Sequence, residues 1–154
     1  MCYKMEERYE KYWRDFLKEK NLPDGTEFSD VFCFGDDDTA DMLLALVLNG
    51  KKRATSSARI AYEIENEALP QVGEYSIVTD SAGEPKCVIT DTAVTVYRFC
   101  DMNFDIIKKE GEDECLETWQ SNHRGVFTDE GRELGYEFSE DMEIVFEEFE
   151  VLYQ

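Results

Sequence analysis

Histidine is nearly missing from this chain of 154 residues: His123 stands alone. Metal sites built on several histidines are thereby excluded, and Ser-His-Asp or Cys-His catalysis would have to run through that single side chain. Neither a G-x-G-x-x-G run nor a P-loop pattern occurs, so the glycine-rich loops that cradle phosphates in dinucleotide and NTP enzymes are lacking. Cysteine is present without a pattern. Cys2, Cys33, Cys87, Cys100 and Cys115 are odd in number, widely spaced and never in C-x-x-C, which argues for reduced, packed thiols and against a disulfide framework or a structural zinc site. No stretch approaches the ~20 apolar residues of a membrane span. The first residues, MCYKMEERYEKYW, carry charge where a secretion signal needs an apolar run. The expected location is the cytoplasm, with no membrane contact, no metal and no cofactor.

Basic residues are also scarce. Sixteen Lys and Arg face 36 Asp and Glu, a formal net charge of −20. Such a surface repels polyanions as a whole, and phosphate contacts need cations that release counterions, so extended duplex DNA is not expected as a partner. A local basic patch can still hold one phosphate or a short strand. The 42% hydrophobic and 13% aromatic content supports an ordinary packed core. The length fits one domain, which buries roughly two thirds of its unfolded surface.

Periodicity divides the chain. Met5, Tyr9, Tyr12, Trp13 and Phe16 recur at helical spacing within residues 3–20, predicting an amphipathic helix that ends at Asn21-Leu22-Pro23-Asp24-Gly25. FCFGDDD predicts a short extended piece entering a turn. The next helix is expected to be capped by Asp38 or Thr39, to bury Met42, Leu43, Leu46 and Val47, and to stop with Gly50 at C′. A turn, GKKRATSS (residues 50–57), and a short helix over residues 58–67 follow. From Leu69 the period changes to two: LPQVGEYSIVTD and KCVITDTAVTVYRF predict a hairpin turning at residues 81–85. Residues 104–109 and 116–123 predict two helices. Residues 141–153 predict a closing strand, with a bulge where the alternation slips at Glu147-Glu148. The expected class is α+β, a small barrel with helices packed outside it.

The densest chemistry lies in GKKRATSS, three cations and three hydroxyls in eight residues. One reading is structural: Lys51, Lys52 and Arg53 complement the negative end of the preceding helix, and Thr55, Ser56 and Ser57 cap the next one. The other is functional. Lys52 and Thr55 are three apart and would share a face in a helical turn. A desolvated lysine beside a threonine can act as base to a nucleophile, with a carboxylate as proton shuttle. Alternatively Lys52 stays charged and holds a phosphate, helped by the hydroxyls and by Lys51 and Arg53.

Taken in order, GKKRATSS, Tyr62-Glu63, LPQVGEYSIVTD, Gly83-Glu84-Pro85, EGEDECLETW, His123 and DMEIVFEEFEVLY resemble the ASCH superfamily over residues 27–154, leaving residues 1–26 as an N-terminal helical extension. That resemblance implies a PUA-like barrel with a cleft between barrel and helices. The implied partners are a nucleoside, a nucleotide or short single-stranded RNA. Some small members are amidohydrolases that deacetylate acetylated cytidine through a Lys, Thr and Glu set, which carries over to Lys52, Thr55 and Glu112, with Glu110 and Glu114 close by. Another branch is linked to ribonuclease activity through a lysine of the same loop. Arg53 departs from the small polar residue usual there. Lys51, Arg53, Ser56, Ser57 and Tyr62 are the expected ligand contacts. Trp119 is either a base-stacking residue at the cleft edge or part of the core. A non-catalytic binding module, or an interaction domain using the acidic surface, are the competing readings.

Overall fold

The computed structural model describes the backbone of residues 2–154 and the side chains of residues 7–154; the burial expected of Met5 and the thiol of Cys2 lie outside the described residues. In chain order the elements are α1 (Cys2–Glu19), β1 (Asp30–Phe32), α2 (Ala40–Leu48), β2 (Ala54–Ala58), α3 (Arg59–Ile64), β3 (Tyr75–Thr79), β4 (Pro85–Arg98), α4 (Phe104–Ile107), α5 (Leu116–Leu134) and β5 (Glu143–Tyr153). The strands form one five-stranded sheet in the order β1-β3-β4-β5-β2. Among the described residues β1–β3 is the one parallel pair; the other pairs are antiparallel. The sheet curls into a half-barrel with helices against it, the α+β architecture expected.

Three apolar clusters hold the helices to the sheet. Trp13, Phe16 and Leu17 of α1 meet Ile77 and Val88. Burial of side chains this size contributes roughly 1.5–3 kcal/mol each, so the Tyr9–Leu17 stretch of α1 is packed firmly on the sheet. Leu43, Leu44 and Val47 of α2 meet Phe34, Val78, Ile89 and Phe149. Trp119 and Phe127 of α5 meet Phe99, Ile144 and Phe146.

Four local expectations need correction. Helix α2 buries Ala40, Leu43, Leu44 and Val47, an i, i+3, i+4, i+7 stripe, and leaves Met42 58% exposed. Thr39 stands at the expected N-cap, but its side chain makes no bond to the first helical N–H groups. It accepts from the Asp36 N–H, while Asp36 Oδ1 accepts from the Thr39 hydroxyl and from the backbone N–H groups of Asp38 and Thr39. Helix α5 runs past His123 to Leu134, because Phe127 adds another buried turn. The slip at Glu147-Glu148 is not a bulge in β5. Ile144 and Phe146 pack toward α5 while Phe149 and Val151 pack toward α2, so the apolar side of the strand changes sheet face. The extra residue is on β4, where Thr92 interrupts the register between Asp91↔Phe149 and Ala93↔Glu148.

Candidate functional site

The site begins where α2 ends. Gly50 adopts φ +82, its N–H bonds Val47 O, and Lys51 N–H reaches back to Leu46 O, the two bonds of a Schellman stop. The chain then enters β2 directly. Residues 54–58, expected to continue a turn and cap α3, are instead extended and pair with β5 from Ala54↔Glu148 to Ala58↔Ile144. Alternation divides their side chains. Ala54 and Ala58 face the α5 cluster, and Ser56 points the same way to bond Glu110. Thr55 and Ser57 turn to the opposite side.

Lys52 is 2% exposed. Its ammonium donates to Ala54 O at 2.8 Å and to Glu112 Oε2 at 2.6 Å, with Glu110 Oε1 at 3.8 Å. A buried cation needs such partners, since desolvation without them costs several kcal/mol. The helical turn expected to align Lys52 with Thr55 is not how the segment folds, and among the described residues no hydrogen bond joins the two side chains.

The two glutamates arrive on the turn after α4. Gly111, at φ +74, separates them. A Cβ there would lie 2.3 Å from Lys51 O and 3.0 Å from Lys52 N, so only glycine lets this turn press against the lysine loop. Arg53 N–H donates to Lys109 O and closes the same junction. Glu110 is 2% exposed; its Oε2 accepts from Ser56 Oγ at 3.0 Å and Trp119 Nε1 at 2.6 Å. Burial pushes the Glu110 carboxyl upward, opposed by the charges of Lys52 and His123 and by the Trp119 bond. Glu114 is exposed. Glu110, named from sequence only as a neighbour of Glu112, is therefore the better-buried of the two acids on Lys52.

On the other side of β2 lies a cleft of ≈ 1010 Å³. Thr55, Ser57 and Tyr62 line it, with Ser57 and Tyr62 hydroxyls 2.9 Å apart, and Phe32, Phe34 and Phe149 supply apolar wall. Burial pushes the Tyr62 phenol up to about 12. Six carboxyl residues also line it: Asp30, Glu67, Glu74, Asp91, Glu130 and Glu147. None of the described lining residues is Lys, Arg or His. Burial and a hydrogen bond with Asp91 push the Glu147 carboxyl up to about 8. Glu147 is the direct cross-strand partner of Thr55. Among the described residues no three His, Cys, Asp or Glu side chains stand where a metal ion could be held.

The expected site residues therefore divide. Lys52, Glu112 and Ser56 gather on the α5 side, Thr55, Ser57 and Tyr62 on the cleft side. The Lys52 amine lies 5.3 Å from the centre of the Phe34 ring, and Phe34 lines the cleft. Lys51 and Arg53 are exposed. Trp119 has no exposed surface, so it does not stack a base from a cleft edge; it packs in the core and holds Glu110. His123, the single histidine, stacks on Trp119 at 4.1 Å.

A family model described as ASCH domain matches residues 30–153. Among solved structures, an ASCH domain from Lactobacillus crispatus is 34% identical, with TM-score 0.85 over 96% of this chain and 96% of that one. Protein EF3133 from Enterococcus faecalis is 30% identical, with TM-score 0.89 over 96% of this chain and 89% of that one. Hypothetical protein PH0355, 20% identical with TM-score 0.50 over 80% of this chain and 97% of that one, shares the fold. Coverage of 96% leaves too few residues over to omit all of α1, so both bacterial structures match part of that helix. No curated protein matches the chain.

Proposed function

Since the chain belongs to the ASCH domain family, we propose that its cleft takes a nucleoside-like ligand without phosphate and that Thr55, Lys52 and Glu112 hydrolyse an acyl group from an exocyclic amine of the base. The observation that carries this reading is the arrangement at the start of β2. A buried lysine amine 2.6 Å from a carboxylate lies behind a strand whose Thr55 side chain lines a large, aromatic-walled cleft.

In this reading the Lys52 proton crosses to Glu112, leaving a neutral amine and a neutral acid. Lys52 and Glu112 stand on the far side of β2 from Thr55 in this structure, so the step requires their side chains to turn past Phe34 toward the cleft when the ligand binds. Thr55 Oγ then attacks the acyl carbonyl and its proton goes to Lys52. Glu112 protonates the departing amine. Water then cleaves the acyl-threonine ester, returning Thr55 to its hydroxyl form. The lack of cations among the described lining residues and the carboxylates along the cleft, Glu147 apart, disfavour phosphate through like-charge repulsion. With a net charge of −20 they also disfavour RNA, which needs cations along its backbone path.

The test is chromatographic detection of cytidine and acetate released from acetylated cytidine. Replacing Thr55 by Val or Lys52 by Ala should lower the rate by about 10² or more. The 5′-phosphorylated substrate should bind more weakly than the free nucleoside. Turnover by both variants at the parent rate sinks the mechanism; saturable binding with no product reduces the protein to a binding module.

A further inference from the structure

The proposed reaction leaves one buried acid unused, and the fold sets the lone histidine against it. Glu110 Oε1 lies 3.8 Å from Lys52 Nζ on one side and 3.8 Å from His123 Nε2 on the other. Its other oxygen is already occupied by the Ser56 hydroxyl and the Trp119 indole. His123 Nδ1 lies 2.8 Å from Trp119 O. A carbonyl only accepts, so Nδ1 carries the hydrogen, and in the neutral ring Nε2 presents its lone pair to Glu110 Oε1. A lone pair facing a carboxylate oxygen in a low-dielectric interior is repulsive, and one proton between them removes the conflict. Both 3.8 Å gaps exceed a hydrogen bond by no more than a small side-chain movement closes. Among the described residues Glu110 is the one charged group within salt-bridge distance of His123. Trp119 and Phe127, from its own helix, flank the ring, while Lys52 and Glu112 lie beyond Glu110.

We propose that Glu110 and His123 share one proton, and that its position switches Lys52 between two carboxylate neighbours and one. With the proton on Nε2, His123 is an imidazolium and Glu110 a carboxylate, so Lys52 is held as ammonium by both glutamates. When the Nε2–H bond breaks and an Oε1–H bond forms, the ring becomes neutral, Glu110 becomes a neutral acid, and Glu112 alone balances Lys52. The lysine then releases its proton more readily. His123, with 14% of its side chain exposed, connects the pair to solvent. It is a positioning residue acting through Glu110. Its consequence for Thr55 rests on the hydrolase reading; the sharing of the proton does not.

Because the chain has a single histidine, ring NMR signals report on it without assignment. Titrating the protein should show the His123 transition moving to lower pH by about one unit or more in Glu110→Gln, which removes the negative neighbour, and to higher pH in Lys52→Met, which removes the positive one. Both shifts show that the ring feels the two charges. The sharing itself is read from the Glu110 carboxyl carbon signal, which should move together with the ring signals; a carboxyl signal that stays still through the ring transition overturns the proposal. Transitions unchanged in both variants overturn the proposal. If either variant does not fold, nitrogen shifts of the parent above its transition decide: the Nδ1–H tautomer supports the pair, and the Nε2–H tautomer overturns it. These readouts need no substrate, so they stand even if acetylated cytidine is not turned over. Where it is, His123→Gln should displace the pH profile of kcat while leaving KM unchanged.

Discussion

Replacing Glu147 by Gln should make the protein more stable at alkaline pH and leave it nearly unchanged in mild acid. The carboxyl projects from β5 into the cleft, and its value in the fold is pushed from 4.5 up to about 8, chiefly by burial, then by the hydrogen bond and charge of Asp91 and the charges of Glu74 and Asp30. Below about 4.5 the folded and unfolded chains both hold this proton. As pH rises from there to about 8 the fold keeps a proton that the unfolded chain has released, so stability falls throughout that window. At about 1.4 kcal/mol per pH unit the ceiling is about 5 kcal/mol. The cleft is open to water, and the proton is shared with Asp91, which reduces the expected effect to roughly 2 kcal/mol. Glutamine has the shape of the protonated acid and never ionises. Urea unfolding at pH 5.5 should therefore find parent and variant within about 0.5 kcal/mol, and at pH 8.5 should find the variant ahead by roughly 2 kcal/mol. An equal difference at the two pH values would refute the reasoning, because a packing change carries no proton with it.

Gly111→Ala should cost roughly 2–4 kcal/mol, combining a side chain at φ +74 with a Cβ 2.3 Å from Lys51 O; urea unfolding measures it, and a loss below about 0.5 kcal/mol would show that the glutamate turn is not pressed on the lysine loop. Trp119→Phe keeps the stack on Phe99 but removes the donor to Glu110 Oε2. It should destabilise by about 2–3 kcal/mol through a small void and a weakened buried acid, and a neutral result would mean that the indole N–H contributes nothing to holding Glu110.

Much of this fold is written in strong local signals. Gly50 ends α2 at C′ because only a left-handed residue closes that stop. Strands β3 and β4 are legible from their β-branched residues on either side of a turn, although helices cover both faces at Ile77–Val78 and Cys87–Ile89. Residues 54–58 were harder to read. Ala54-Thr55-Ser56-Ser57-Ala58 has no large apolar residue, since the sheet face it presents is filled by Trp119, Ile144 and Phe146 from elsewhere. With only alanine and serine on that face, the strand looks like a loop. Met42 and Leu44 exchange burial for a related reason: several apolar residues in a row, ADMLLALVL, allow more than one stripe, and the sheet selects among them. At the site, Lys52 and Glu112 are legible as a family pattern, and the structure sets them 2.6 Å apart. Glu110 and His123 were not legible as partners. They are thirteen residues apart on different elements, and a buried acid differs from a solvated one only through the tertiary cover that Trp119 provides.

The packing of α1 also bears on how the chain reaches its native state. Tyr12 and Phe16 rest on Tyr153, with ring centres 5.2 and 5.7 Å apart, joining α1 to β5, two elements far apart in sequence. During synthesis the aromatic side of α1 emerges before β5 and stays uncovered until that strand has left the ribosome. Closure over so long a loop is slow, so a helper that shields Tyr12, Trp13 and Phe16 in the interval should raise the yield of folded protein more than one acting on any later segment.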